Sequence, residues 1–151
     1  MLTNKERYSA FCNVSYVPVY SQSWWMDAVC GLGNWDVWLY ESGGEIQAAM
    51  PYYLENRQHG CYITKAPLTQ NNGIVFRYPE GQGLIARAKF EEKVVRAAMS
   101  FIDELGLAVY EQQFPTSFTN WLPFFWLGCD ALPRYTYVIE DTSDLDAVWS
   151  G

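Results

Sequence analysis

Trp35–Leu54 read WDVWLYESGGEIQAAMPYYL, and this stretch decides the fold class. Two runs rich in large apolar residues flank the turn signal Ser42-Gly43-Gly44. Two such runs around a Gly-Gly turn predict a β-hairpin. Pro51 lies inside the second run and has no N–H to give to a neighbouring strand. We therefore expect an edge position, a bulge or the end of pairing at this residue.

Helical and strand patterns continue on both sides of the hairpin. We predict helices over residues 4–12 with Asn4 as the N-cap, from Ser21 or Ser23 to Gly31, and over 84–105, 119–126 and 144–149. Further strands are predicted over 61–65, 107–114 and 133–140, and a long loop over 66–83 with a brief strand at 74–76. This order predicts a mixed α/β fold with a partly antiparallel central sheet flanked by helices.

Composition excludes several classes of protein. The chain has 151 residues, about one domain, and a formal net charge of −7. An acidic chain without a basic cluster is not expected to bind nucleic acid. The sequence contains no apolar run of 18 residues and begins without a signal-peptide pattern, so we expect a cytoplasmic protein without a membrane span.

Residues for metal binding or nucleophilic catalysis are few. Cys12, Cys30, Cys61 and Cys129 are far apart, and His59 is the single histidine. We expect reduced, mostly buried thiols, a surface histidine and no metal site.

Four stretches give the chain a family resemblance. They are PVYSQSWWMDAVCG at 18–31, the hairpin at 35–54, TKAPLTQNNGIVF at 64–76, and TNWLPFFWLGCDALPRYTYVIEDTSDLDAVW at 119–149. Together they resemble the N-terminal half of bacterial Fem-like (FemAB-type) N-acyltransferases, which carry two lobes of GNAT fold in one chain. None of the stretches is a catalytic signature.

The resemblance implies a division of labour between two lobes. Residues 1–140 would form a first, acceptor-side lobe of GNAT-like fold, and residues 141–151 would begin a second lobe. That second lobe would bind acyl-CoA, or aminoacyl-tRNA in the peptidyltransferase branch, and this chain would bind no cofactor itself. Acyl transfer would go directly to an amine of a small-molecule, peptide or sugar acceptor, and this chain alone would be inactive.

A glycine-rich turn precedes the longest predicted helix. GNAT enzymes hold the pyrophosphate of acyl-CoA with the pattern Arg or Gln, two residues, Gly, one residue, then Gly or Ala. Here Gly81 and Gly83 have the right separation, but Tyr78 takes the leading position and Glu80 adds a negative charge. We therefore interpret the turn as a helix entry that uses glycine for its geometry, and not as a cofactor loop.

Neutral polar residues among aromatics are the candidate substrate-binding groups. Amide and aromatic side chains together suit an uncharged polar acceptor. The candidates of this kind are Gln70, Asn71, Gln112, Asn120 and Trp121, while Arg134 and Tyr135 are candidates for binding an acidic group of the acceptor. Turn chemistry explains the amides at 70–71 equally well, and Arg134 could simply pair with a neighbouring acid.

A different class of function fits the same composition. The high aromatic content, 17% of residues, also suits a non-catalytic module that binds carbohydrate or peptide, or a protein-interaction domain. Glycan binding by the isolated chain would favour that alternative.

Overall fold

The computed structural model describes residues 2–135, 137–139 and 141–150, and helices pack on both faces of one sheet. The helices are α1 Asn4–Val14, α2 Ser23–Cys30, α3 Leu84–Glu104, α4 Leu122–Trp126 and α5 Leu145–Ser150, with a 3₁₀ turn at Val19–Ser21. The strands are β1 Trp35–Ser42, β2 Glu45–Arg57, β3 Gly60–Thr64, β4 Val75–Phe76 and β5 Val109–Tyr110. The predicted mixed α/β class is confirmed.

The sheet is mostly antiparallel. Its order is β1-β2-β3-β5, and β4 also pairs with β2. Only the β3–β5 pair is parallel. The predicted hairpin is confirmed, and its register runs from Trp35 opposite Tyr53 to Ser42 opposite Glu45. Gly43 and Gly44 have φ of 63° and 81°, as a two-residue hairpin turn with two left-handed positions requires.

Alternation along β2 builds a core on each face of the sheet. Ala48, Met50 and Tyr52 pack with Val94, Val95, Ala98, Met99 and Ile102 of α3. Ala49 packs instead with the buried residues of α1, α2 and β1, among them Tyr8, Phe11, Met26, Trp35 and Val37. Because side chains of a strand alternate between faces, one strand supplies both cores.

The N-terminus of α1 is capped by Thr3, so the prediction of Asn4 as N-cap is wrong. Thr3 Oγ1 accepts the Glu6 N–H at 3.2 Å, and the Glu6 carboxylate accepts the Thr3 N–H at 2.7 Å. This reciprocal capping box satisfies two backbone donors at once. Asn4 is the first helical residue, and its amide donates to the Val37 carbonyl at 3.4 Å.

Two predicted strands differ from the structure. The strand predicted over 107–114 is confirmed only at Val109–Tyr110, because the chain turns away from β3 after Glu111 donates its N–H to the Ile63 carbonyl. The strand predicted over 133–140 is wrong for residues 133–135 and 137–139, which pair with no strand. Their side chains lie exposed, and an alternating pattern without a neighbouring strand edge forms no ladder. Thr136 and Glu140 lie outside the described residues.

The remaining predicted elements are confirmed with shifted ends. The helix predicted over 119–126 begins only at Leu122, and the loop at 66–83 contains the short strand β4. Gly106 follows α3 with a φ of 60°, as a residue after a helix C-cap often does. α5 confirms the helix predicted over 144–149.

The thiols are less buried than predicted. All four cysteines are free, but only Cys30 is buried, whereas Cys12, Cys61 and Cys129 are half-buried. Burial raises the pKa of Cys30 to about 11. This thiol therefore stays protonated at neutral pH and is a poor nucleophile.

The capping box predicts that substitutions at Thr3 and Asn4 change the free energy of unfolding by different amounts. We expect Thr3→Ala to lower the free energy of unfolding by about 1 kcal/mol, because it removes the side-chain acceptor at the helix start. Asn4→Ala should cost less than about 0.5 kcal/mol. Urea unfolding followed by circular dichroism measures both, and a larger loss for Asn4→Ala would contradict the assignment.

Candidate functional site

The sheet has an opening beside the middle of β2, where no strand pairs with residues 50–52 on one side. β3 and β4 lie on the same side of β2, but β3 pairs with 53–57 and β4 pairs only with Ala48 and Ala49. Residues 50–52 therefore face the loop at 65–74 instead of a strand on that side. β1 continues along the other side of β2 without a break at this level, with Val37 opposite Pro51.

Pro51 fits this opening because it needs no donor there. Its carbonyl accepts the Gln112 side-chain amide at 3.1 Å and the Asn72 amide at 3.5 Å. In an antiparallel strand, the N–H and C=O of one residue point to the same side. The missing N–H of Pro51 would therefore point into the opening, and no bond to β1 is lost. The expectation that pairing ends here is right for one side of β2 and wrong for the other.

Amide groups close the opening with a hydrogen-bonded network. The Asn72 N–H donates to the Gln113 carbonyl at 2.8 Å, and the Gln112 amide also donates to Asn72 Oδ1 at 3.4 Å. The Tyr110 hydroxyl donates to Gln112 Oε1 at 2.9 Å. Burial raises the pKa of Tyr110 well above its ordinary value, so the phenol keeps the proton that it donates.

Aromatic rings cover the network. Phe114 packs against Gly73 so closely that a Cβ at position 73 would lie 2.7 Å from its ring. The Phe114 ring centroid lies 4.8 Å from that of Phe118 and 5.1 Å from that of Phe124. Phe118 is stacked on Phe76 of β4 at 5.8 Å. The rings therefore bridge from β4 across the opening to α4.

A groove of about 240 Å³ lies against these rings. One wall comes from the connection between α1 and α2, another from the loop end and β4, and a third from the chain after β5. The lining residues are Tyr16, Pro18, Ser21, Asn72, Gly73, Ile74, Val75, Phe76, Tyr78, Pro115, Ser117 and Phe118. None of these twelve residues is acidic, basic or a histidine. The Tyr16 side chain is 87% exposed at the groove.

Tyr78 separates this groove from a second depression. Its hydroxyl donates to Glu91 at 2.6 Å, and the other oxygen of Glu91 accepts the Asn120 amide at 2.9 Å. The Arg87 guanidinium lies 5.0 Å from the Tyr78 ring centroid. Burial, followed by the bond to Glu91, raises the pKa of Tyr78. The turn before α3 is thus fastened both to α3 and to the segment before α4.

The second depression has about 370 Å³ and a mixed charge. Its lining residues are Glu45, Gln47, Arg77, Tyr78, Pro79 and Glu80. Arg77 lies 3.6 Å from the Glu45 carboxylate. A cation that already faces a carboxylate attracts an added anion only weakly.

The turn at 77–83 has the geometry predicted for a helix entry. Gly81 has a φ of 74°, which favours glycine, and Gly83 is the N-cap of α3 without a side-chain cap. The Gly83 carbonyl accepts the Arg87 N–H at 3.0 Å, which begins the helix. The prediction that this turn uses glycine for its shape is confirmed at Gly81.

The structure places the predicted substrate-binding residues in separate parts of the fold. All seven are described, and none of them lines the 240 Å³ groove. Gln112 belongs to the network at Pro51, while Gln70 lies exposed and Asn71 half-buried in the loop before β4. Asn120 bonds to Glu91 and, at 3.4 Å, to the Ala88 carbonyl.

The other three lie near or beyond α4. Trp121 is about half exposed and contacts Phe125 edge-on at 6.1 Å. Arg134 and Tyr135 lie exposed after α4, away from the groove. The role of all seven in substrate binding stays a prediction.

Sequence reasoning missed the residues that form the groove. Asn72 directly follows the predicted residues Gln70 and Asn71, but it is not among the candidates, although it alone of these three is buried and bonded across the opening. Tyr16 and Phe118 show no periodic pattern. An aromatic residue beside Val17-Pro18, and another after Pro115, were the available signals.

Other reactive groups lie away from this site. His59 is exposed in the turn between β2 and β3. Within the described residues, no group of three His, Cys, Asp or Glu side chains is placed to hold a metal ion. Over the same part of the chain, no helix is both long and apolar enough to cross a bilayer.

Comparison with known proteins finds structural similarity but no sequence match. No protein-family model and no curated protein sequence matches the chain. Among solved structures, it is similar to a ribosomal-protein-alanine N-acetyltransferase from Brucella melitensis biovar Abortus 2308, with 10% identity over 91% of this chain and 93% of that one, and a TM-score of 0.46. It is also similar to an aminoglycoside acetyltransferase from an uncultured soil metagenomic sample, solved with sisomicin, with 12% identity over 91% and 86% and a TM-score of 0.41.

We expect the Gln112 amide to contribute measurably to stability. Gln112→Leu removes the donor to Pro51 and leaves the buried Tyr110 hydroxyl without its acceptor, at a cost of about 1–3 kcal/mol. The control Gln70→Leu changes an exposed amide and should stay within about 0.5 kcal/mol of the parent. Equal unfolding midpoints for the two variants in urea would contradict the network.

Gly73 is expected to tolerate no side chain. Gly73→Ala combines a φ of 128° with a clash against Phe114, so we expect a loss of about 1–3 kcal/mol. Gly33→Ala is the matched control, because nothing lies within 4 Å of the added Cβ. Thermal melts of both variants measure the difference, and a neutral Gly73→Ala would show that Phe114 moves away at little cost.

Proposed function

We propose that this chain is the acceptor-side lobe of an N-acyltransferase and that the acyl donor binds to a second lobe. The resemblance of four stretches to Fem-like proteins motivates the proposal. The observation that carries it is the aromatic cover over the opening beside Pro51. In this proposal the lobe binds and orients the amine, and the isolated chain transfers no acyl group.

The cover supports the absence of a donor site. Phe114 is in close contact with Gly73 beside the opening, so an extended thioester arm that entered there would meet its ring. It would also meet backbone groups already in use, because the Pro51 carbonyl accepts two side-chain amides. Breaking bonds of buried polar groups without replacing them is costly, so donor entry here is unfavourable.

The turn before α3 supports the same conclusion. A phosphate site at a helix N-terminus relies on free N–H groups and nearby cations. Here Glu80 places a carboxylate in the turn, Arg77 lies near Glu45, and Arg87 lies over the Tyr78 ring. Arg77 and Arg87 therefore already interact with other groups of this chain.

An exposed apolar surface supports contact with a further lobe. Residues 112–129 contain no charged side chain. α4 and its flanks expose Trp121, Leu122, Phe125, Trp126 and Leu127, with Trp126 60% exposed. Contiguous apolar surface of this kind is typical of a protein contact.

The groove is the proposed acceptor site. It is concave, mostly apolar and bounded by three separate segments, as small-molecule sites generally are. Its residues would exclude water from one side of the amine and hold it at the surface of the lobe. The donor-binding lobe would hold the acyl donor. The amine would attack the acyl carbon directly, breaking the bond to the CoA sulfur or the tRNA oxygen, so that the amide forms, the amine loses a proton and the thiol or hydroxyl group leaves.

Donor binding by the isolated chain tests the proposal. We expect calorimetric titration with acetyl-CoA to give no saturable heat, because the opening is filled and the turn carries Glu80. The variant Gly83→Asp should also show none, while gaining a few tenths of a kcal/mol in stability from a better N-cap.

The contrary result is equally specific. Nothing lies within 4 Å of a Cβ at Gly83, so the new aspartate fits without distortion and would repel a phosphate at the start of α3. Saturable binding by the parent that is lost in Gly83→Asp would place the donor on this lobe and overturn the proposal.

A further inference from the structure

The uncharged lining of the groove restricts the acceptors that it can hold. This inference rests on the proposed function, since it concerns the amine that the groove would take. Its twelve lining residues carry no formal charge. An alkylamine is protonated at neutral pH, and moving an ammonium group into an uncharged apolar groove is unfavourable without a counter-ion.

The lining residue Tyr78 is hydrogen-bonded to the carboxylate of Glu91. One oxygen of Glu91 accepts the Tyr78 hydroxyl at 2.6 Å, and the other accepts the Asn120 amide at 2.9 Å. Both oxygens therefore have short, well-placed donors. Glu91 is not among the residues that line the groove, so the lining itself offers an ammonium ion no counter-ion.

We propose that the groove binds arylamines, in which the amino group is attached directly to an aromatic ring. The nitrogen of an arylamine is neutral at physiological pH because its lone pair is delocalised into the ring. It enters an uncharged site without losing the hydration of an ion. Its N–H groups need only neutral acceptors, and the lining includes the neutral polar residues Ser21, Asn72 and Ser117.

The shape of the groove suits a flat ring. The lining residues Phe76 and Phe118 are stacked on each other, with an angle of 1° between their planes. The exposed Tyr16 ring stands at the groove and is available to contact a bound ring. Aromatic faces on two sides favour stacked or edge-on contact with a planar ligand.

Ligands that each contain one benzene ring but differ in charge test the proposal. We expect aniline and the uncharged benzyl alcohol to shift the NMR amide signals of Gly73 and Ser117 in a saturable way. Benzylamine, protonated at neutral pH, should bind at least tenfold more weakly, because it alone loses ionic hydration. Equal or tighter binding of benzylamine would overturn the proposal, as would the absence of saturable shifts with all three ligands.

A charge placed in the groove should reverse the preference. Ser117→Asp adds a carboxylate to an exposed lining position, so benzylamine should gain at least tenfold in affinity while aniline does not. Thr116→Asp is the matched control, since it adds the same charge one residue outside the lining. Equal gains in both variants would show that long-range attraction, and not the groove, selects the amine.

These measurements are independent of the donor. Tyr16→Ala should weaken aniline and benzyl alcohol alike, since it removes a ring contact and no charge. Acetyl-CoA binding by the chain would refute the proposed division between lobes and leave the ring preference unchanged. If aniline binds no better than benzylamine and acetyl-CoA does not bind, only the assignment of arylamines as acceptors is refuted.

Discussion

The position of Pro51 constrains the architecture around it. A proline in a buried strand is tolerated only where its missing N–H faces no partner. β2 meets this condition because β3 and β4 leave a gap at its level, while β1 pairs without interruption on the other side. Asn72 and Gln112 then supply the donors that a continuous neighbouring strand would have given to the Pro51 carbonyl.

At this gap, hydrogen bonds already occupy the polar groups, and aromatic rings pack beside them. The amide network leaves few free bonding groups for a ligand, and Phe114 closes the space above Gly73. A concave surface remains accessible beside these rings, in the groove between Tyr16 and Phe118. In the proposed function, this separation assigns amine binding to one surface and leaves donor chemistry to another lobe.

Local patterns predicted the parts of the fold that depend on local chemistry. The hairpin turn depends on two adjacent glycines, Gly43 and Gly44. The apolar face of α3 depends on residues three or four positions apart. The segment at 111–114 reads as a strand but leaves the sheet, because strand formation depends on a partner that the sequence does not show. Gln112 was predicted as a polar site residue, yet its contact with Pro51 spans 61 positions and has no local signature. Tyr16 was missed for the same reason, since its place in the groove depends on how α1 and α2 are packed.

The bonds around Glu91 also bear on the motions of the native state. Glu91 accepts one hydrogen bond from the turn before α3 and another from the segment before α4, so its two oxygens join regions 42 positions apart along the chain. Regions that are bonded to one shared residue tend to open and close as one cooperative unit. Amide hydrogens in the two segments should therefore exchange with solvent through a common opening event, although neither segment belongs to a regular strand.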